Sequence, residues 1–238
     1  DQAGEILHLA DKKGFFTEEN VSVKLVRFGT LEDTRHAFER HQVDGMTTTV
    51  IELLQVHEHG SPALPVFLID FSNGSDVILA RKGIASVADL KGQKVGIEIA
   101  TLSGFIMARA LEKSGLSLDD VTLEGLNPAN MQEALLSGKV SATHVYPPYS
   151  TELLKHADEV VKIFDSSEIP GEIVDILSLS PEIVKNRPND VKALQRAWNK
   201  AVAYALQHPS DANPIMAELE KISPQEFAEA LKGIKILN

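Results

Sequence analysis

The feature that most constrains this chain is its rhythm. Up to about residue 180, short apolar segments of strand length alternate with helical patterns of about ten residues, and from Pro181 onward the pattern is almost wholly helical. Strands alternating with helices imply βαβ units and parallel sheets. There are too many such units for one small sheet. The expected architecture is α/β in two lobes, the second inserted in the first, with a helical C-terminus.

In detail, residues 5–13 read as an amphipathic helix stopped by Gly14, and Val21–Phe28 alternates as a strand. Thr30 and Asp33 have capping-box spacing ahead of a helix to about Arg40. Val43–Met46 (strand), Val50–Glu58 (helix), Leu64–Ile69 (strand) and Val77–Ala80 (strand) follow. A second block repeats the pattern with Ser86-Val-Ala-Asp89, strand Lys94–Glu98, helix Thr101–Lys113, strand Val121–Leu126, helix Pro128–Leu136 and strand Ala142–Tyr146. Thr151–Ala157 and Val160–Phe164 continue it, and Val174–Leu179 is one more strand. Pro188, Pro209, Pro214 and Pro224 each stand where a new helix can begin.

Composition narrows the function. The 238 residues are 43% apolar, enough for a real core. The formal net charge of −11 disfavours binding to nucleic acid, which needs clustered Lys and Arg. With no cysteine, disulfide scaffolds, thiolate metal sites and cysteine nucleophiles are excluded. Walker loops, GxGxxG, GxSxG and HExxH are all missing. His57-Glu58-His59 is the one tight histidine cluster, but on a helix its imidazoles point about 200° apart, which is wrong for a shared metal. Asp119-Asp120 and Glu218/Glu220 read as solvated charge.

What remains are four polar segments placed just after strand ends, where open α/β sheets bind ligands. They are Thr47-Thr48-Thr49, Ser72-Asn73-Gly74-Ser75-Asp76, Ala100-Thr101-Leu102-Ser103 and Tyr146-Pro147-Pro148-Tyr149. Hydroxyls and N–H groups at helix starts suit anions, and tyrosines add flat walls with a polar tip. Each segment taken alone also fits an ordinary N-cap or turn. Asp70, Asp76, Glu98 and Asp175 fall at the same strand ends, with Arg81 the one basic residue nearby in sequence. Carboxylates without a basic partner favour a ligand that brings an amine or another strong donor.

Several stretches resemble the nitrate/sulfonate/taurine solute-binding family of ABC importers, with its thiamine-pyrimidine branch. The opening Leu7-x-Leu-Ala-x-x-x-Gly14-Phe-Phe-x-Glu-Glu19 is one, and Asp44-Gly45 with its threonines is another. Ile69–Ala80, Ser86-Val-Ala-Asp-Leu-Lys-Gly-Gln-Lys-Val-Gly96, Ala110–Leu116, Glu133–Gly138 and Ile169–Leu177 extend the likeness over nearly the whole chain.

That resemblance implies a two-lobed periplasmic-binding-protein fold of type II that closes on a small molecule. Lobe I would be residues 1–78 plus 176–238 and lobe II residues 79–175, with hinges near 77–81 and 174–178. The implied ligand-binding residues are Thr48, Thr49, Ser72, Gly74, Ser75, Asp76, Glu98, Thr101, Ser103, Tyr146 and Asp175. The implied partners are a small polar ligand, amine-bearing or sulfonate-like, and the membrane permease of an importer. The receptor would be a monomer outside the cytoplasm, exported by a signal peptide this chain does not carry, with no cofactor, metal or enzymatic activity.

Pro147 stands where relatives often carry an acidic residue. The family's first strand and following loop have no counterpart, and Asp1 reads as a trimmed start. Two alternatives stay open. One is the extracytoplasmic sensor domain of a membrane signalling protein. The other is a pyrimidine-synthesis type of enzyme, for which no activating base or cofactor lysine is visible.

Overall fold

The computed structural model describes residues 2–237. In chain order its elements are α1 (Gln2–Lys12), α2 (Phe15–Glu18), α3 (Leu31–Glu39), β1 (Gly45–Thr49), α4 (Val50–Glu58), β2 (Leu64–Ser72) and β3 (Val77–Arg81). Next come β4 (Lys94–Ile97), α5 (Leu102–Lys113), β5 (Thr122–Gly125), α6 (Pro128–Leu136), β6 (Ala142–Val145), α7 (Tyr149–Leu154), β7 (Val160–Asp165) and β8 (Val174–Leu179). The last are α8 (Pro181–Asn186), α9 (Pro188–Gln207), α10 (Pro209–Glu220), α11 (Pro224–Ala230) and β9 (Ile234–Ile236). No described helix is long and apolar enough to cross a membrane.

Two compact units emerge. Unit 1 holds Asp1–Phe71, Val174–Leu231 and Lys235–Asn238, and unit 2 holds Ser72–Ile173 with Lys232–Ile234. The chain passes between them at 71/72, 173/174, 231/232 and 234/235, whereas the resemblance implied 78/79 and 175/176. The spans 77–81 and 174–178 lie inside ladders. Val77–Ala80 pairs with β6 on one side and β7 on the other, and Val174–Leu179 pairs with both β1 and β2.

Unit 1 is built on a sheet of order β1-β8-β2-β9, in which β8 runs antiparallel to both β1 and β2. Its core gathers α1, α9 and α10 around Trp198, which is fully buried and meets the Phe67 ring at 5.4 Å. α9 forms because Pro188 opens it and Leu194, Trp198, Ala201 and Val202 recur on one stripe. A second cluster, Phe38, Met46, Leu53, Val56, Ala63 and Ile176, lies with α3, α4 and one face of β1 and β8.

Unit 2 has a five-stranded sheet of order β5-β4-β6-β3-β7. β4 is parallel to β5 and β6, while β3 is antiparallel to β6 and β7. Its three central strands, β4, β6 and β3, are almost fully buried, as expected of strands covered on both faces. α6 starts where Asn127 caps it and Pro128 supplies the first helical residue.

Several expectations are corrected. Both sheets contain antiparallel pairs rather than parallel ones alone. Residues 21–28 form no strand, since they join no ladder among the described residues, although Val21 is buried. Pro214 lies within α10 rather than opening a helix. The C-terminal stretch ends in β9, whose Ile-Lys-Ile alternation suits a strand, and the Leu237 N–H donates to the Ile69 carbonyl at 2.8 Å. Asp120 closes a capping box with Ser117 instead of being merely solvated. Glu220 accepts from Arg27 Nη2 at 2.6 Å and hydrogen-bonds the buried Glu5.

Candidate functional site

In unit 2 the register brings one set of residues to one edge of the sheet. β4 and β6 end there at Ile97 and Val145, and β3 begins there, with Val77 directly opposite Val145. Asp76, Glu98 and Tyr146 are therefore neighbours at that edge, the position open α/β sheets use for ligands. Arg81, at the far end of β3, is at the opposite edge, where it lines a cavity with Lys82, Leu135, Leu136 and Glu159.

A hydrogen-bond chain ties this edge together. His144, 2% exposed in β6, sits between Asp76 and Ser103. Its Nε2 lies 3.1 Å from Asp76 Oδ1, and its Nδ1 lies 3.0 Å from Ser103 Oγ. Ser72 Oγ donates to Asp76 Oδ2 at 2.5 Å and accepts from the Asp76 N–H at 3.3 Å. Ser166 Oγ lies 2.7 Å from Ser72 Oγ and accepts the Gly74 N–H at 2.7 Å. Ser103 Oγ accepts the Glu98 N–H at 3.2 Å.

A carboxylate oxygen accepts, so His144 Nε2 donates to Asp76 Oδ1. Ser72 spends its own hydrogen on Asp76 Oδ2, so Ser166 donates to Ser72. Asp76 therefore ends two converging arms. The expectation of a carboxylate left to a cation alone is corrected to this extent.

The other edge residues have local causes. Thr101 caps α5, accepting the Ser103 N–H at 3.2 Å and donating to the Glu98 carbonyl at 3.0 Å. Ala100 takes the left-handed region at φ 57°, a conformation that costs an L-residue about 1–2 kcal/mol. Such strain recurs at functional turns. The exposed Ile99 lies over Gly125, where a Cβ would meet Ile99 Cδ1 at 2.4 Å. Tyr146 donates to Glu98 Oε2 at 3.4 Å, and its ring meets Tyr149 edge-on at 5.9 Å. Burial, then the negative charge of Glu98, raises the Tyr146 hydroxyl well above its ordinary value, so it stays protonated. Ser75 is held from behind, because the Gly233 carbonyl accepts the N–H groups of Asn73 at 2.7 Å and Ser75 at 3.0 Å.

Of the expected residues, Ser72, Gly74, Ser75, Asp76, Glu98, Thr101, Ser103 and Tyr146 thus share one edge of unit 2. Thr48, Thr49 and Asp175 belong to unit 1. Thr47–Thr49 lie within β1 rather than after it, and Ser72 is the last residue of β2 rather than a turn residue. Thr49 is the N-cap of α4 and closes a capping box with Glu52. Thr48 is buried on the face of β1 that Met46 presents to the helix-covered core, and its Oγ1 has no hydrogen-bond partner. Asp175 pairs with Thr49 on one side and with Asp70 on the other.

His144, Ser166 and Gly233 were not anticipated as site residues. The signal for His144 was its place two residues before Tyr146 on the same strand face. Among the described residues no group of three or more His, Asp or Glu side chains is arranged to hold a metal. His57 Nε2 instead meets the Ala63 carbonyl at 2.6 Å, and His59 Nδ1 meets Glu39 at 2.8 Å.

The family described as NMT1/THI5 like matches residues 5–212. A putative binding protein of Brucella abortus is 27% identical over 165 residues, which cover 68% of this chain and 52% of the relative. The chain spans about half the length of that relative. A putative aliphatic sulfonates-binding protein of Bacillus subtilis is 26% identical over 253 residues, covering 98% of this chain and 71% of its own. Among solved structures, the periplasmic aliphatic sulphonate binding protein SsuA of Escherichia coli superposes with a TM-score of 0.85 at 20% identity, over 100% of this chain and 84% of that one. The two-unit α/β fold with its helical C-terminus is therefore that of a periplasmic binding protein.

Proposed function

The chain belongs to the NMT1/THI5-like family, and from that premise we propose that it is the solute-binding receptor of an ABC importer. It works outside the cytoplasm, captures a small polar molecule and hands it to a membrane permease. The edge residues of unit 2 are the groups proposed to hold it. No bond is made or broken.

The observation that carries this reading is the polar edge of unit 2. There Asp76, Glu98, Tyr146 and the start of α5 converge where strands end, on a fold shared with a sulphonate-binding protein. The geometry offers hydrogen-bonding groups and aromatic walls, which suits holding a ligand.

Native mass spectrometry of the purified protein reads any ligand carried through purification. A thermal-shift panel of taurine, sulfonates, nitrate, pyrimidines, polyamines and urea derivatives then reads affinity. A ligand at a hundred times its Kd adds about 2.7 kcal/mol of stability by mass action. No retained ligand and no shift across the panel would sink the receptor reading.

A further inference from the structure

We propose that His144 is the positioning residue that makes the unit 2 edge an acceptor surface, and that this edge selects ligands carrying a protonated amine or guanidine. This rests on the receptor reading and names the ligand class for that site.

The reasoning is an inventory of protons. His144 Nε2–H and Ser72 O–H each supply one hydrogen to Asp76, at 3.1 and 2.5 Å, one on each carboxylate oxygen. A carboxylate has about four acceptor directions, so both oxygens keep one for a ligand. Tyr146 spends its hydrogen on Glu98, which leaves its oxygen a lone pair to offer. Thr101 spends its hydrogen on the Glu98 carbonyl, and Ser166 spends its own on Ser72. The Gly74 and Ser75 N–H groups are spent on Ser166 and Gly233. The donors nearest the two carboxylates are thus already engaged.

A cation finds two carboxylates, a phenol oxygen and two tyrosine rings set edge to face, the furnishings of ammonium recognition. His144 holds the arrangement from behind. It links β6 to α5 through Ser103 and to the Ser72–Asp76 turn through Asp76, so it fixes which way the Asp76 carboxylate faces.

Two substitutions separate the arms of that link. In His144→Gln the side-chain amide reaches to where Nε2 was and can still donate to Asp76. In His144→Asn the shorter amide reaches only to Ser103, and Asp76 loses its donor. Calorimetry of the full chain with 1,4-diaminobutane, agmatine, taurine and ethanesulfonate reads the outcome. The expected result is binding of the two amines in preference to ethanesulfonate. That preference survives in His144→Gln and falls by about tenfold in His144→Asn, the size of one charge-assisted hydrogen bond.

Equal loss in the two His144 variants would overturn the positioning role. Ethanesulfonate binding more tightly than the amines would overturn the ligand class and leave the receptor reading standing. Binding of none of the four probes would also overturn the ligand class. In that case native mass spectrometry of the co-purified ligand decides the receptor reading separately.

Discussion

Ser166 and Gly74 meet through a 2.7 Å hydrogen bond from the Gly74 N–H to the serine hydroxyl, and this one contact orders the turn that carries Asp76. Ser166 is fully buried, is 2.7 Å from Ser72 Oγ, and belongs to the short helical turn after β7. It therefore serves as acceptor to a backbone group and as donor to a side chain at once. Both partners come from a segment more than ninety residues away in sequence.

Ser166→Ala strips both roles and leaves a buried N–H without a partner. The expected cost is about 1–3 kcal/mol of stability, the penalty for an unsatisfied buried donor. Urea denaturation of the variant against the parent checks it. A loss below a few tenths of a kcal/mol would show that water replaces the hydroxyl.

A second prediction concerns pH. Glu5 on α1 is buried, and burial followed by its hydrogen bond to Glu220 raises its carboxyl well above the ordinary value of 4.5. Glu220 keeps its charge because Arg27 donates to it at 2.6 Å. A carboxyl with a raised folded pKa binds its proton more tightly folded than unfolded. Its contribution is full below 4.5 and is lost as pH rises through the folded value. Urea midpoints should accordingly decline as pH climbs above that point, and Glu5→Gln, which holds the neutral shape, should flatten the decline. A parallel slope in the variant would remove Glu5 as the cause.

A third prediction rests on close packing. Gly45 opens β1 against β8, and a Cβ there would meet Leu179 Cδ2 at 2.4 Å and the Ser178 carbonyl oxygen at 2.8 Å. The first contact can yield by a rotamer change, but the second is backbone. Gly45→Ala should push β1 off its partner at a cost of about 1–3 kcal/mol. Chemical denaturation reads the loss, and an unchanged midpoint would mean that the strand pair shifts freely.

Much of this fold was legible because local signals agree with the tertiary structure. Pro128–Leu136 and Val174–Leu179 form with the bounds that caps and apolar runs imply. The failures have physical causes. Val21–Phe28 alternates like a strand, but a strand exists only where a neighbour completes its ladder, and alternation cannot show that neighbour. Thr47–Thr49 looked like a loop because threonine also favours caps. Its β-branching and the β8 partner extend β1 to Thr49.

Within the site, residues near strand ends were found because sheet topology puts them together. His144 and Ser166 were not, because their roles depend on pairs separated by 41 to 94 residues, for which a single sequence carries no periodic signal. Glu220 looked solvated for the same reason, since Glu5 and Arg27 reach it only through the fold.

The last prediction joins packing to binding. Gly233 backs the site turn, and a Cβ on it would lie 2.8 Å from Ser75 N, 2.9 Å from Ser75 Cα and 3.1 Å from Ser75 Cβ. Two of those atoms are backbone, so the turn itself must move. The Gly233 carbonyl also holds the Asn73 and Ser75 N–H groups. Gly233→Ala should cost about 1–3 kcal/mol in stability. Because Asp76 is the next residue along, it should also weaken ligand binding. Amide chemical shifts should change most over residues 72–76, and a titration with whichever panel compound the parent binds should show the lower affinity. If stability falls while affinity holds, the turn is supported by Gly233 but does not contribute to the ligand's grip.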